Sequence, residues 1–272
     1  MKTNPYNVST ILPVYNGQAF LMEAIESILR QTLPVQEIIL VDDGSTDDTA
    51  GIAAGYGSII RYIYQTKAGP AAARNHGLRI AGGDVICFVD ADDYWPSSKL
   101  EIQLGWLERE QKWDIVLGHI QRVYMTENET GGMIPVAFAR PWAGLLLGCG
   151  VYRRSVFDTI GFFNEELLFS EDWDWFMRAR ETGIPILVID DVTQFYRQHG
   201  SNMTNQSELG QRYMLQMLKN SLDRRRSTSS GQVSTLPPLA SNNKNHPNKK
   251  EKDVSDDEHH GNYINMGDGC HG

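Results

Sequence analysis

The sequence holds 272 residues with 25 basic against 34 acidic side chains, a formal net charge of −9. That balance leaves no basic stripe for nucleic acid, and three cysteines (Cys87, Cys149 and Cys270) are too few and too scattered for a disulfide framework or a zinc cage. No stretch approaches the roughly 20 apolar residues of a membrane helix, and the polar first seven residues lack a signal-peptide core. The expectation is a soluble cytoplasmic protein.

In chain order, short Val/Ile-rich runs alternate with helical periodicity, the pattern of strand and helix units around a mostly parallel sheet. A first strand is expected over 8–14, followed by a helix with Leu21, Ile25, Ile28 and Leu29 at helical spacing. The second strand, 37–41, is a bare apolar run of the kind buried on both faces. Ser45 with Asp48 three residues on reads as a capping box opening a helix that ends near Gly55 and Gly57. A third strand over 59–64, a helix opened by Pro70 and reaching Ala81, and a fourth strand over 85–89 complete the first half.

The second half is less regular. It reads as a helix over 97–111, a strand from Ile115 to about Tyr124, a Gly/Pro-marked loop region around 127–150, and helices near 155–160 and 172–181. A strand near 186–192 and a last helix near 209–222 close the domain. From Arg224 onward only nine of 49 residues are apolar, so 224–272 is expected to be a low-complexity, disordered tail beside one α/β domain over 6–223. Within the tail, 256–260 offers acidic and His side chains for at most weak metal chelation.

Ligands of open parallel sheets collect beyond the carboxyl ends of the strands. Three polar clusters fall there: Pro13, Val14, Tyr15, Asn16 and Gly17 after the first strand; Asp42, Asp43, Gly44 and Ser45 after the second; Asp90, Ala91, Asp92 and Asp93 after the fourth. Carboxylates gathered at one edge need a facing cation or hydrogen-bond donors, and hard oxygen ligands suit Mg2+ or Mn2+ with positions left open for phosphates. An acidic protein then binds an anionic diphosphate through the metal. The alternative is that these aspartates only cap turns.

Four motifs in order carry a more specific likeness. Ser9-Thr10-Ile11-Leu12-Pro13-Val14-Tyr15-Asn16, Val41-Asp42-Asp43-Gly44-Ser45-Thr46-Asp47, Gly69 through Ala73-Arg74-Asn75-His76-Gly77, and Phe88-Val89-Asp90-Ala91-Asp92-Asp93 resemble family 2 glycosyltransferases of the GT-A fold. Ile160-Gly161-Phe162-Phe163-Asn164-Glu165, followed by Ser170-Glu171-Asp172-Trp173-Asp174 and Arg178, resembles the same family's acceptor-side segment. The likeness covers roughly 6–200, with a nucleotide-sugar half about 6–125 and an acceptor half about 126–223.

The resemblance implies an inverting transferase that moves a sugar from a nucleotide-diphosphate donor, most commonly a UDP-sugar, to a saccharide or lipid-linked acceptor, as in polysaccharide or cell-envelope biosynthesis. Pro13 and Tyr15 would line the nucleobase, Asp43 would accept from base or ribose with Asp42 a weaker candidate, and Arg74 would approach the nucleotide or its phosphates. Asp90, with Ala91 beside it, would contact ribose or metal, Asp92 would ligate Mn2+ or Mg2+, and His199 is a candidate near the metal or diphosphate. Asp172 matches the general base, with Glu171 its neighbour, and the helix start expected there favours an ionised carboxylate. With no membrane helix, a lipid-linked acceptor would require peripheral contact at the inner membrane face. Trp142, Trp173 and Trp175 read as core rather than a sugar-stacking face.

Rival readings fit less well. An aspartyl-nucleophile phosphatase would carry Thr or Val where Tyr94 follows Asp93, and the segment from Pro13 to Ala19 lacks a dinucleotide-binding glycine pattern. The non-enzyme alternative is a catalytically degenerate sugar-nucleotide or metal binding module, which has no need of Asp172.

Overall fold

The computed structural model describes residues 4–127, 133–200, 202–203, 207–228, 236 and 239–241. Its first half alternates β1 (Val8–Val14), α1 (Leu21–Leu29), β2 (Glu37–Asp42), α2 (Thr49–Ala54), β3 (Ile60–Tyr64), α3 (Pro70–Ile80) and β4 (Val85–Phe88). All seven residues of β1 are buried, because β2 pairs with it on one edge, β4 on the other, and helices cover both faces. The β1–β2, β1–β4 and β2–β3 pairings are parallel. Strand order β3-β2-β1-β4 reverses direction between β1 and β4, which opens a crevice at their carboxyl ends.

Two core clusters lie on the two faces of this sheet. One joins Leu12, Leu21, Ile25, Ile28 and Leu40 with Leu100 and Leu104; the other joins Ile11, Val41 and Phe88 with Tyr152, Phe157, Trp175 and Phe176. Helix α3 approaches β1 closely because Gly77 faces Ile11, where a Cβ would sit only 2.5 Å from the Ile11 side chain. That approach brings Arg74, one turn earlier, to the strand ends.

The second half adds α4 (Lys99–Arg109), β5 (Ile115–Glu127), β6 (Met133–Ala143), β7 (Gly150–Arg153), α5 (Arg154–Ile160), α6 (Glu171–Glu181), β8 (Ile186–Arg197), α7 (Ser207–Thr228) and β9 (Ala240–Ser241). Strand β7 runs antiparallel between β4 and β5, while β8 and β9 continue the sheet in parallel. The mixed α/β expectation, with a mostly parallel sheet flanked by helices, holds.

Four local expectations change. The 127–150 region is not simply a loop: its described part includes β6, antiparallel to β5, and β7 begins at Gly150. Pro135 and Pro141 are tolerated because β6 is joined to the sheet through β5 alone. Strand β8 does not stop near Val192 but continues to Arg197, past the exposed pair Asp190 and Asp191, through register shifts against β5. The capping box does not form, since the Asp48 N–H goes to Gln18 Oε1 at 3.0 Å and the Ser45 N–H to Asp42 Oδ1 at 2.7 Å. Finally, α7 runs past the expected boundary at Arg224, whose guanidinium meets Glu181 Oε2 at 2.7 Å and Asp174 Oδ1 at 3.1 Å. The rest of the expected tail, including 256–260 and Cys270, lies outside the described residues except for 236 and 239–241.

Candidate active site

The loops after β1 and β2 are cross-tied by side chains that caps and turns favour. Asn16, in the left-handed region at φ 52, accepts Thr46 N at 2.8 Å, while Gly17 N donates to Thr49 Oγ1 and Gln18 N to Asp47 Oδ2. Together these bonds fix the floor of the crevice. Tyr15 emerges from it 44 % exposed, with the Lys67 ammonium 3.4 Å from its ring centroid, a cation-π contact. Lys67 had no signal in the sequence beyond an ordinary loop lysine. Pro13, by contrast, is buried within β1, so its ring is not an open wall for a nucleobase.

The adjacent aspartates after β2 divide the work. Asp42 is 1 % exposed and fully engaged inside the protein, accepting Ser45 N at 2.7 Å and the Tyr62 hydroxyl at 2.7 Å. Both of its oxygens are thus occupied in holding the loop. Asp43 accepts Gln65 Nε2 and Ala68 N on Oδ1 and Gly69 N on Oδ2, which anchors the 65–69 loop and leaves acceptor capacity on Oδ2. Tyr62→Phe is expected to cost about 1 kcal/mol in urea unfolding, the value of a buried hydrogen bond to a carboxylate that keeps its backbone donor.

Beyond β4, three aspartates meet three environments. Asp93 is buried, accepting Gln194 Nε2 and Arg197 N, and burial followed by the charges of Asp92 and Asp90 raises its pKa well above the usual carboxylate range. It pins the end of β8 to the end of β4. Asp92 faces His199 Nε2 at 3.1 Å, with Asn202 Nδ2 at 3.4 Å, and its pKa is raised by burial and then by Asp90, with His199 opposing. The extension of β8 to Arg197 is what delivers His199 to this point, its ring 4.6 Å from that of Phe20. Ala91, between the two outer aspartates, packs against the core.

Asp90 joins the other wall. Arg74, 7 % exposed, donates from Nη2 to Asp90 Oδ1 at 2.7 Å and from Nη1 to Glu171 Oε1. Burial alone would lower its pKa, but Asp90 and then Glu171 outweigh that and raise it, so the guanidinium is permanently charged. The expected free cation for phosphates is thus a buried bridge from β4 to α6. Its Nε has no partner among the described residues. Glu171, expected as a catalytic neighbour, is the other anchor of this bridge.

Asp172 sits in the first turn of α6, just after Ser170, which holds the N-cap position at φ 63 without a side-chain cap hydrogen bond. One oxygen accepts Trp173 N at 2.7 Å. Burial first, then the neighbouring Glu171 charge, push its pKa up to about 7, with Arg74 and the Trp173 N–H only partly offsetting. The helix start favours the ionised carboxylate, while desolvation and the like charge of Glu171 act against it. Asn75 ties this acceptor-side segment to α3 through Phe163 and Glu165. Of the tryptophans, Trp175 is fully buried as expected, whereas Trp173 is 40 % exposed and Trp142 half-buried.

The structure thus gathers Tyr15, Asp43, Asp90, Asp92, His199 and Asp172 around the carboxyl ends of β1, β2 and β4. Residues 9–163, more than half of the chain, match the family model described as Glycosyl transferase family 2. The chain belongs to glycosyl transferase family 2.

Relatives in this family include an uncharacterised glycosyltransferase of Rickettsia typhi, 32 % identical over 199 residues, covering 68 % of this chain and 63 % of the relative. The uncharacterised glycosyltransferase EpsJ of Bacillus subtilis is 31 % identical over 216 residues, covering 72 % and 62 %. Among solved structures, S. aureus TarS in complex with UDP-GlcNAc superposes with a TM-score of 0.61 at 25 % identity, covering 78 % of this chain and 65 % of that one. The chain spans less than two thirds of the length of each of these three proteins. The chain shares the GT-A fold of its structural neighbours.

Proposed function

We propose that the crevice binds a uridine diphosphate sugar and transfers its sugar, with inversion, to a hydroxyl of a saccharide or lipid-linked acceptor. The observation that carries this reading is the single Arg74 bridge joining the donor-side carboxylate Asp90 to the helix bearing Asp172. A nucleotide at the strand ends and a base on α6 are thereby held in one rigid frame. The UDP-GlcNAc bound to TarS supports the choice of donor class. On the donor side Tyr15 offers an exposed ring face for the base, and Asp43 Oδ2 an acceptor.

Asp92 and His199 offer a carboxylate oxygen and an imidazole that fit Mn2+ or Mg2+, while Asn202, which accepts His199 N on Oδ1 and turns Nδ2 to Asp92, holds the pair in place. Among the described residues no three carboxylate, imidazole or thiolate groups gather to hold a metal ion, so the donor's phosphate oxygens would have to supply further ligands. Such an ion, when bound, supplies charge neutralisation for the departing diphosphate. Asp172 accepts the proton of the acceptor hydroxyl while that oxygen bonds to the anomeric carbon and the bond from that carbon to the diphosphate breaks. The displacement is single, so no side chain becomes covalently attached to sugar. The degenerate binding module is disfavoured because a carboxylate titrating near neutral pH stands on the acceptor side, where a binding module has no need of one.

The test is release of UDP from a panel of UDP-sugars by the full chain with Mn2+ and candidate acceptors. Turnover that stops on chelation is expected. Nucleotide binding without turnover on any sugar would favour the binding module.

No helix among the described residues is long and apolar enough to cross a membrane. A lipid-linked acceptor would therefore reach this part of the chain by peripheral contact, and we place the reaction at the cytoplasmic membrane face.

A further inference from the structure

Helix α7 turns one face inward and leaves another bare. Met217 and Ser221 are buried, and Arg224 is held by Glu181 and Asp174 of α6. At about 100° per residue the opposite face carries Leu215, Leu218 and Leu222, spaced i, i+3 and i+7, with Met214 at its edge. These side chains are 68 %, 42 %, 36 % and 44 % exposed. Arg212, Lys219 and Arg226, all exposed, flank the leucines together with the exposed Glu208 and Asp223, a flank with one net positive charge. The helix holds five basic and two acidic residues in a chain whose net charge is −9.

We propose that this face of α7 is a docking surface for an anionic lipid bilayer. An apolar stripe bordered by a net-basic flank matches both the acyl boundary and the negative headgroups, a pairing no neutral surface supplies. Residues 243–272 are acidic over 253–258, but Tyr263, Met266 and Cys270, which have the spacing to match the stripe, stand among Gly261, Gly267 and Gly269, which disfavour the helix that would align them.

The surface is also near the chemistry. The Tyr213 ring stacks on Phe169 at 6.0 Å, directly before Ser170 and the start of α6 that carries Asp172. Docking through α7 would present the acceptor side of the crevice to lipid-borne substrates, a consequence that rests on the proposed function, whereas docking itself does not.

The test uses the full chain in co-sedimentation with phosphatidylcholine vesicles, with and without about one third phosphatidylglycerol, at low and high salt. Binding to the anionic vesicles only, weakened by salt, is expected. Leu215→Glu/Leu222→Glu should reduce partitioning at least about tenfold and Arg212→Glu/Lys219→Glu several-fold, with circular dichroism and UDP affinity unchanged. Failure to bind either vesicle, or binding that these exposed substitutions leave intact, would overturn the proposal. So would a dimer dissociated by Leu215→Glu, which assigns the face to a second copy. Protease sensitivity of 243–272 induced by Leu215→Glu, without vesicle binding, would assign it to the chain's own end and overturn it equally.

Discussion

Arg74→Ala is expected to lower the unfolding free energy by about 3 kcal/mol near neutral pH, the cost of removing one partner from a buried ion-pair network. The guanidinium alone links Asp90 to Glu171, and its loss leaves Glu171 buried without its cation. Asp90, 40 % exposed at its side chain, recovers part of its hydration, which keeps the figure at the lower end. Arg74→Lys should fall between wild type and Ala, because a single ammonium cannot reproduce two diverging bonds. Urea unfolding of the two variants reads both effects. A penalty under about 1 kcal/mol would mean that the bridge does not hold the two walls together.

Asp172→Asn is expected to abolish transfer, by about a thousandfold or more, while making the fold more stable at neutral pH. The folded-state pKa, about 7, lies above the unfolded value near 3.9. The folded chain therefore binds an extra proton between those values, and the contribution of this group to stability is full at low pH and is lost as pH rises through 7. Asn is free of that loss and can still accept the Trp173 N–H. The gain should be near zero at about pH 4 and reach about 1–2 kcal/mol above pH 7, less than the shift implies because Asp172 is partly exposed and coupled to Glu171. The wild-type kcat/KM should rise with pH as Asp172 ionises, with a midpoint near 7. Equal activity in the Asn variant would remove Asp172 from the chemistry, and equal stability at all pH values would deny its desolvation.

The apolar runs of β1, β2 and β4 were legible because strands buried on both faces admit little but Val, Ile and Leu, and the polar residues that end them mark the crevice. What escaped the sequence was decided by contacts between distant segments. Pro135 and Pro141 read as loop punctuation, yet an edge position makes them harmless in β6. Asp190 and Asp191 read as the end of a strand, yet they lie exposed where β8 shifts register and runs on to deliver His199. Arg224 read as the start of a tail, yet Glu181 and Asp174 hold it in α7. Asp42 was legible only as a weaker candidate than Asp43, and the physical difference, Tyr62 on one and the 65–69 loop on the other, comes from segments some 20 residues on. Arg74 was legible as a site residue but not as a bridge, because both of its partners lie far along the chain.

The most direct test of the central claim is calorimetric titration of the full chain with UDP, with Mn2+ and then with chelator, alongside Asp92→Asn. The account predicts binding with metal that weakens at least about tenfold with chelator, and an Asp92→Asn variant that behaves as the chelated wild type. No UDP binding in the presence of metal, or binding indifferent to both metal and Asp92, would contradict it.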